Sequence, residues 1–250
     1  MKKTKLLWGM PITVEIVDED VSKKDVDSVY EYFHYIDKVF SPYKKESEVT
    51  KINLHLISEK DYSDDIKTVL ALCEDTKQKT NGHFDVYRYG KWDPSGLVKG
   101  WAINEAYKML KKRGFKNFYI DAGGDIQVSG KNKEGHNWII GIRNPFNRYE
   151  NVKILKINEE GVATSGTYIR GQHIYNPFLP SQKLTDVVSF TVIGPNIYEA
   201  DRFATAAFVM QEKGIYFIEK LKGFEGYMID KFGISTSTSG FDKYVYDKKN

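Results

Sequence analysis

The chain has 250 residues, with 37 Lys+Arg against 34 Asp+Glu for a formal charge of +3, and 41% of its residues are hydrophobic. That apolar share excludes a disordered chain and is enough for a sizeable core without covalent staples. The small positive charge is scattered, which argues against nucleic acid as a partner, and the single cysteine, Cys73, excludes an internal disulfide framework and a Cys-based zinc site.

The basic opening resembles the start of a signal peptide. Its apolar run, Leu6 to Met10, is shorter than the roughly 7–15 residues such a segment needs. Nothing approaches the ~18 apolar residues of a membrane span, so the expectation is a soluble, cytoplasmic chain without a membrane anchor. Residues 12–17 alternate apolar and polar and predict a strand. Val26, Val29, Tyr30, Phe33, Ile36 and Phe40 recur at helical spacing, with Ser22 or Asp25 near the start. Ile66, Val69, Leu70 and Cys73 predict a second helix. Val98, Trp101, Ala102, Ala106, Met109 and Leu110 predict a third, closed by Gly114. Strands follow at 117–121, 125–129, 137–143, 151–157 and 186–193, each bounded by turn residues. Helices are expected near 199–211 and 214–222, a last strand at 225–231, and a loop over Ser235 to Gly240. Consecutive strands with few helices between them predict an α+β fold with a largely antiparallel sheet, in one domain over residues 1–250.

Four segments carry chemistry. Asp201 and Thr205 are four residues apart and share one helix face. A carboxylate and a hydroxyl there suit a hard cation such as Mg²⁺, although Asp201 near a helix start also suits the helix dipole. Asp93-Pro-Ser-Gly-Leu-Val-Lys-Gly runs into a helix, where Ser95, Gly96 and Lys99 could receive a phosphate or simply cap it. It lacks the P-loop pattern. Asp121-Ala-Gly-Gly-Asp125 allows a backbone to approach a ligand closely, or makes a plain hairpin turn. His173, in His-Ile-Tyr-Asn-Pro, is a general-base candidate or an exposed structural histidine. A nucleophile elbow and a Rossmann glycine fingerprint are both missing.

Taken together and in order, these segments resemble the ApbE family, the FAD:protein FMN transferases. The resemblance adds Trp8-Gly-Met-Pro, Phe40-Ser-Pro-Tyr, Ser47-Glu-Val-Thr-Lys-Ile-Asn53, Thr80-Asn-Gly-His-Phe-Asp85, Thr164-Ser-Gly-Thr-Tyr and Glu199-Ala-Asp through Ala207. It implies a T-fold-like α+β domain that takes FAD as substrate without a Rossmann unit. It implies Mg²⁺ held by the backbone of Gly96 and the side chains of Asp201 and Thr205. The implied reaction moves FMN from FAD to a Thr or Ser hydroxyl of an acceptor protein bearing an attachment motif, and releases AMP. His173 falls at the family's base, with Lys99 and Asp201 as further catalytic residues. Met10 and Tyr43 are expected against the flavin ring. Ser47, Asn53, Gly123, Gly124 and Asp125 are expected near the adenosine half, and Asp85, Ser95, Lys99 and Thr167 are further expected contacts. An FAD pyrophosphatase and a non-catalytic flavin-binding protein are the alternatives. The family's His-Ile-Ile-Asp-Pro reads His173-Ile-Tyr-Asn-Pro here, so Asn176 stands where a carboxylate is usual.

Overall fold

The computed structural model describes residues 1–167 and 174–247. Its elements in chain order are β1 (Lys2–Leu7), β2 (Met10–Ile16), α1 (Lys23–Phe40), α2 (Glu48–Asn53), α3 (Asp64–Lys79), β3 (Tyr87–Arg88), β4 (Lys91–Trp92) and α4 (Ser95–Lys112). Then come β5 (Phe118–Ala122), β6 (Asp125–Ser129), β7 (Trp138–Arg143), β8 (Asn151–Ile157), β9 (Gly161–Gly166), β10 (Val187–Gly194), α5 (Ile197–Val209), α6 (Gly214–Glu219), β11 (Glu225–Asp230) and β12 (Ser235–Ser237).

Eight strands form one sheet in the order β1-β2-β5-β6-β9-β10-β11-β12, and every neighbouring pair is antiparallel. The α+β expectation therefore holds. One face of the sheet packs against the helices. Ile12, Val14 and Ile16 of β2 join Phe118 and Ile120 of β5 there, with Val29 and Phe33 of α1 and Leu97 and Trp101 of α4. The other face is covered by the β7–β8 hairpin, whose Trp138, Ile140, Leu155 and Ile157 pack on Ile126, Val128, Tyr227 and Ile229. Covered on both sides, β6 is buried at all five positions, and its polar residues must find partners inside the protein.

Two buried polar side chains tie helices to this frame. Tyr30 of α1 directs its hydroxyl at the carbonyls of Lys3 (2.7 Å) and Ile12 (3.0 Å), and burial pushes the phenol up to about 12. Arg202 of α5 donates to Glu199 through two nitrogens and to Asp75 and Thr76 of α3. That clasp fixes α5, and hence Asp201, against α3.

The differences from the expected elements have local causes. Residues 2–7, for which no element was expected, form an edge strand in which Lys3, Lys5 and Leu7 are the half-buried positions and Lys2, Thr4 and Leu6 the exposed ones. Lysine on an edge strand discourages pairing with other chains. The small-residue strand β9 and the six-residue α2 lack the periodicity that would announce them. Ser235–Ser237 pairs with β11 instead of looping. Among the described residues, no helix is long and apolar enough to cross a membrane.

Candidate active site

The site is assembled where α4 crosses α5 at one end of the sheet. The α5 helix is capped by Asn196, whose side chain accepts from the amide of Glu199. Asp201 therefore lies in the second turn and is not a cap. It is 3% exposed. Its Oδ2 accepts the backbone N–H of Gly100 at 2.8 Å. In a regular α-helix that N–H serves the carbonyl of Gly96, so Gly96 shares or gives up its intrahelical donor. A side chain at Gly100 would stand 2.6 Å from Cβ of Asp201, so only glycine permits this crossing.

Lys99, the preceding residue, forms an ion pair with Asp125 and lies 3.8 Å from Oδ1 of Asp201. One turn along α5, the Thr205 hydroxyl lies 3.4 Å from that of Ser165 on β9. Asp125 begins β6 and accepts the amide of Thr164 at 3.1 Å. Gly123 and Gly124 link β5 to β6 with φ of 66° and 101°, the signature of a tight hairpin turn. A side chain at Gly123 would meet the Met10 sulfur at 2.7 Å, so Met10 packs on the turn itself.

These elements enclose a cleft with about 1040 Å³ of empty space, counting its open mouth. Ser95, Gly96 and Lys99 at the start of α4 line it, together with Gly123, Ser165, Asp201 and Thr205. On the opposite wall stand Asp85, Ile174 and Tyr175. Tyr175 donates its hydroxyl to the carbonyl of Asp85 at 2.5 Å, and burial holds the phenol well above its ordinary range. The Asp85 carboxylate pairs with Lys77 at 2.7 Å and accepts the amide of Tyr87.

Other expected contacts stand apart from the cleft lining. Ser47 is fully buried and caps α2 by accepting the amide of Thr50. Asn53 is spent on the backbone of Trp92, donating to its carbonyl and accepting its amide, both at 2.8 Å. Tyr43 is 92% exposed. Thr167 is half-buried, and its amide reaches the carbonyl of Val188. Gly124 gives its amide to Asp121 at 2.7 Å. His173 lies outside the described residues. Asn176 shapes a turn: its Oδ1 accepts the amide of Phe178 at 3.0 Å, a bond that an aspartate could also make, and its Nδ2 donates to Gln182 Oε1 at 3.3 Å, which an aspartate could not.

The donor set fits a hard cation. Asp201, Thr205, Ser165 and the Gly96 carbonyl present oxygen only, beside a helix N-terminus suited to phosphate. Among the described residues, no group of three or more His, Cys, Asp or Glu side chains is placed to hold a metal ion.

A profile of the ApbE family matches residues 8–89 and 89–228. The chain belongs to the ApbE family. The FAD:protein FMN transferase of Escherichia coli (strain K12) is 28% identical over 170 residues, covering 63% of this chain and 48% of that protein. The Vibrio cholerae protein of the same name is 32% identical over 130 residues, covering 48% of this chain and 39% of its own length. The match thus spans about half the length of the curated relatives. Among solved structures, the flavin transferase ApbE from Vibrio cholerae superposes with a TM-score of 0.85 at 22% identity, over 98% of both chains. The ApbE protein from Thermotoga maritima gives 0.87 at 19% identity over 99% of both. At those identities the likeness is one of fold. It covers nearly the whole of each ApbE chain compared.

Within this ApbE-family fold, Gly100 and Ser165 meet Asp201 and Thr205 without having been singled out in the sequence. Gly100 matters through a contact 101 residues away, and no local pattern marks it. Ser165 did have a signal, since it sits inside the Thr164-Ser-Gly-Thr segment.

Proposed function

We propose that this chain is an FAD:protein FMN transferase: it moves the FMN half of FAD to a Thr or Ser hydroxyl of an acceptor protein and releases AMP. The observation that carries the reading is the meeting of Asp201 and Thr205 with Ser165 and the N-terminus of α4 in one cleft. Membership of the ApbE family and the names of the relatives support it.

In the proposed reaction the acceptor oxygen attacks the phosphorus of the FMN phosphate. The bond from that phosphorus to the oxygen bridging it to AMP breaks, and AMP leaves with the electron pair. The acceptor proton goes to a base, for which His173 is our assignment. A hydroxyl is a poor nucleophile until such a base takes its proton. Mg²⁺ held by Asp201, Thr205 and the Gly96 carbonyl would supply charge neutralisation on the pyrophosphate. The amides at the start of α4, with Ser95 and the Lys99 ammonium, orient the phosphates and stabilise charge developing on the leaving group. Met10 packs against Gly123, which lines the cleft, and is our assignment beside the flavin ring, while the exposed Tyr43 would reach only a part of FAD that extends outside the cleft.

The test is AMP release from FAD, measured with Mg²⁺ or with a chelator, and with or without a protein bearing an attachment motif. AMP formed only with metal and acceptor together supports the transferase. AMP and free FMN at the same rate without acceptor would reassign the chain as an FAD pyrophosphatase.

A further inference from the structure

The Lys99–Asp125 ion pair sits at the back of the cleft, against the carboxylate proposed to hold the metal. Asp125 is 2% exposed and belongs to a strand covered on both faces. Its Oδ1 is fixed by the amide of Thr164, and its Oδ2 faces the Lys99 ammonium. That ammonium is also 3.8 Å from Oδ1 of Asp201. The other oxygen of Asp201 receives the Gly100 amide. Two adjacent residues of α4 thus address the two oxygens of one carboxylate, and Lys99 stands between two buried acids.

An ammonium ion and a divalent cation compete for the same carboxylate, and burial makes that competition stronger than in water. We propose that Asp125 is a positioning residue that draws the Lys99 charge toward itself, leaves its pairing with Asp201 the longer of the two, and so sets the affinity of the site for its metal. Without Asp125, Asp201 becomes the nearest carboxylate for Lys99, and the metal must displace a closer ion pair to bind. Asp125 needs no contact with metal or substrate for this role, in keeping with its burial behind the residues that line the cleft. The proposal rests on the metal reading given above.

The experiment is a calorimetric Mg²⁺ titration without FAD. It compares the wild type with Asp125→Asn, Lys99→Gln, the double variant, and Asp201→Ala as reference. Glutamine retains a hydrogen bond to Asp125, so its carboxylate is not left bare. Asp125→Asn should weaken Mg²⁺ about tenfold, while the same change beside Lys99→Gln should cost less than about twofold. Simple loss of a nearby negative charge would weaken Mg²⁺ by the same factor in both backgrounds, and that result overturns the proposal. An unchanged affinity in Asp125→Asn overturns it too. If the wild type gives no more heat than Asp201→Ala, the metal reading itself fails and takes the proposal with it. Binding lost only in Asp201→Ala, with an additive cycle, removes the proposal alone.

Discussion

The backbone amide of Gly100 donates to Oδ2 of Asp201 at 2.8 Å, joining two helices across 101 residues of sequence. The bond needs a crossing so close that no side chain fits. A methyl group at Gly100 would stand 2.6 Å from Cβ of Asp201 and 2.9 Å from the carbonyl of Ile197. The second contact is backbone and cannot rotate away. Gly100→Ala should therefore destabilise the fold by about 1–3 kcal/mol, as overpacked positions do, and lower turnover by moving Asp201. Urea denaturation and AMP-release kinetics on the same preparation check both effects.

Asp201→Asn separates charge from shape. The amide oxygen still accepts from Gly100, so thermal stability should change little. Turnover should fall by about a thousandfold or more, because the metal loses the only carboxylate proposed for it. Near-normal kcat in Mg²⁺ would refute the assignment.

Asn53 offers a sharp contrast, since its side chain serves both polar groups of the Trp92 backbone. Asn53→Ala leaves those groups unpaired and should cost about 2 kcal/mol of stability. KM for FAD should stay nearly unchanged in the fraction that remains folded. A raised KM with unaltered stability would instead mark Asn53 as a direct ligand contact.

Asp121 predicts a pH effect. Burial raises its carboxyl above the ordinary 3.8, and the amide of Gly124 and hydroxyl of Tyr119 only partly oppose this. The folded state therefore holds this proton more tightly than the unfolded state. Its contribution to stability is greatest below 3.8 and declines as pH rises from there through the raised folded value. Asp121→Asn keeps an acceptor for Gly124 and cannot ionise. The wild type should thus lose more stability than this variant between acidic and neutral pH, as read from thermal midpoints across that window. Parallel pH profiles would show that burial of Asp121 carries no such linkage.

What the sequence disclosed and what it withheld follow one physical rule. Asp201 and Thr205 were legible because a helix sets their geometry within four residues. The Asp121–Asp125 turn was legible because paired glycines between strands mark a hairpin. The antiparallel sheet was legible from β2, β5, β6, β10 and β11, and the hairpin that covers it from β7 and β8, because their branched and aromatic residues stand between turn signals. β1 was hidden because its lysines imitate a leader, and its partner β2 is what makes it a strand. β9 was hidden because Gly161-Val-Ala-Thr-Ser-Gly166 has no alternation, its burial coming from both faces of the sheet. Ser47 and Asn53 carry polar groups suited to a ligand, and the fold spends them on a helix cap and on the Trp92 backbone. Local pattern names the donors, while the helix crossing decides which donors meet.

The most direct measurement is the intact mass of an acceptor protein after incubation with FAD and Mg²⁺, using the wild-type chain and Asp201→Asn in parallel. The account predicts an acceptor heavier by one FMN less water with the wild type, one AMP released per adduct, and almost none of either with the variant. An unmodified acceptor with FAD intact, or equal labelling by both chains, would contradict it.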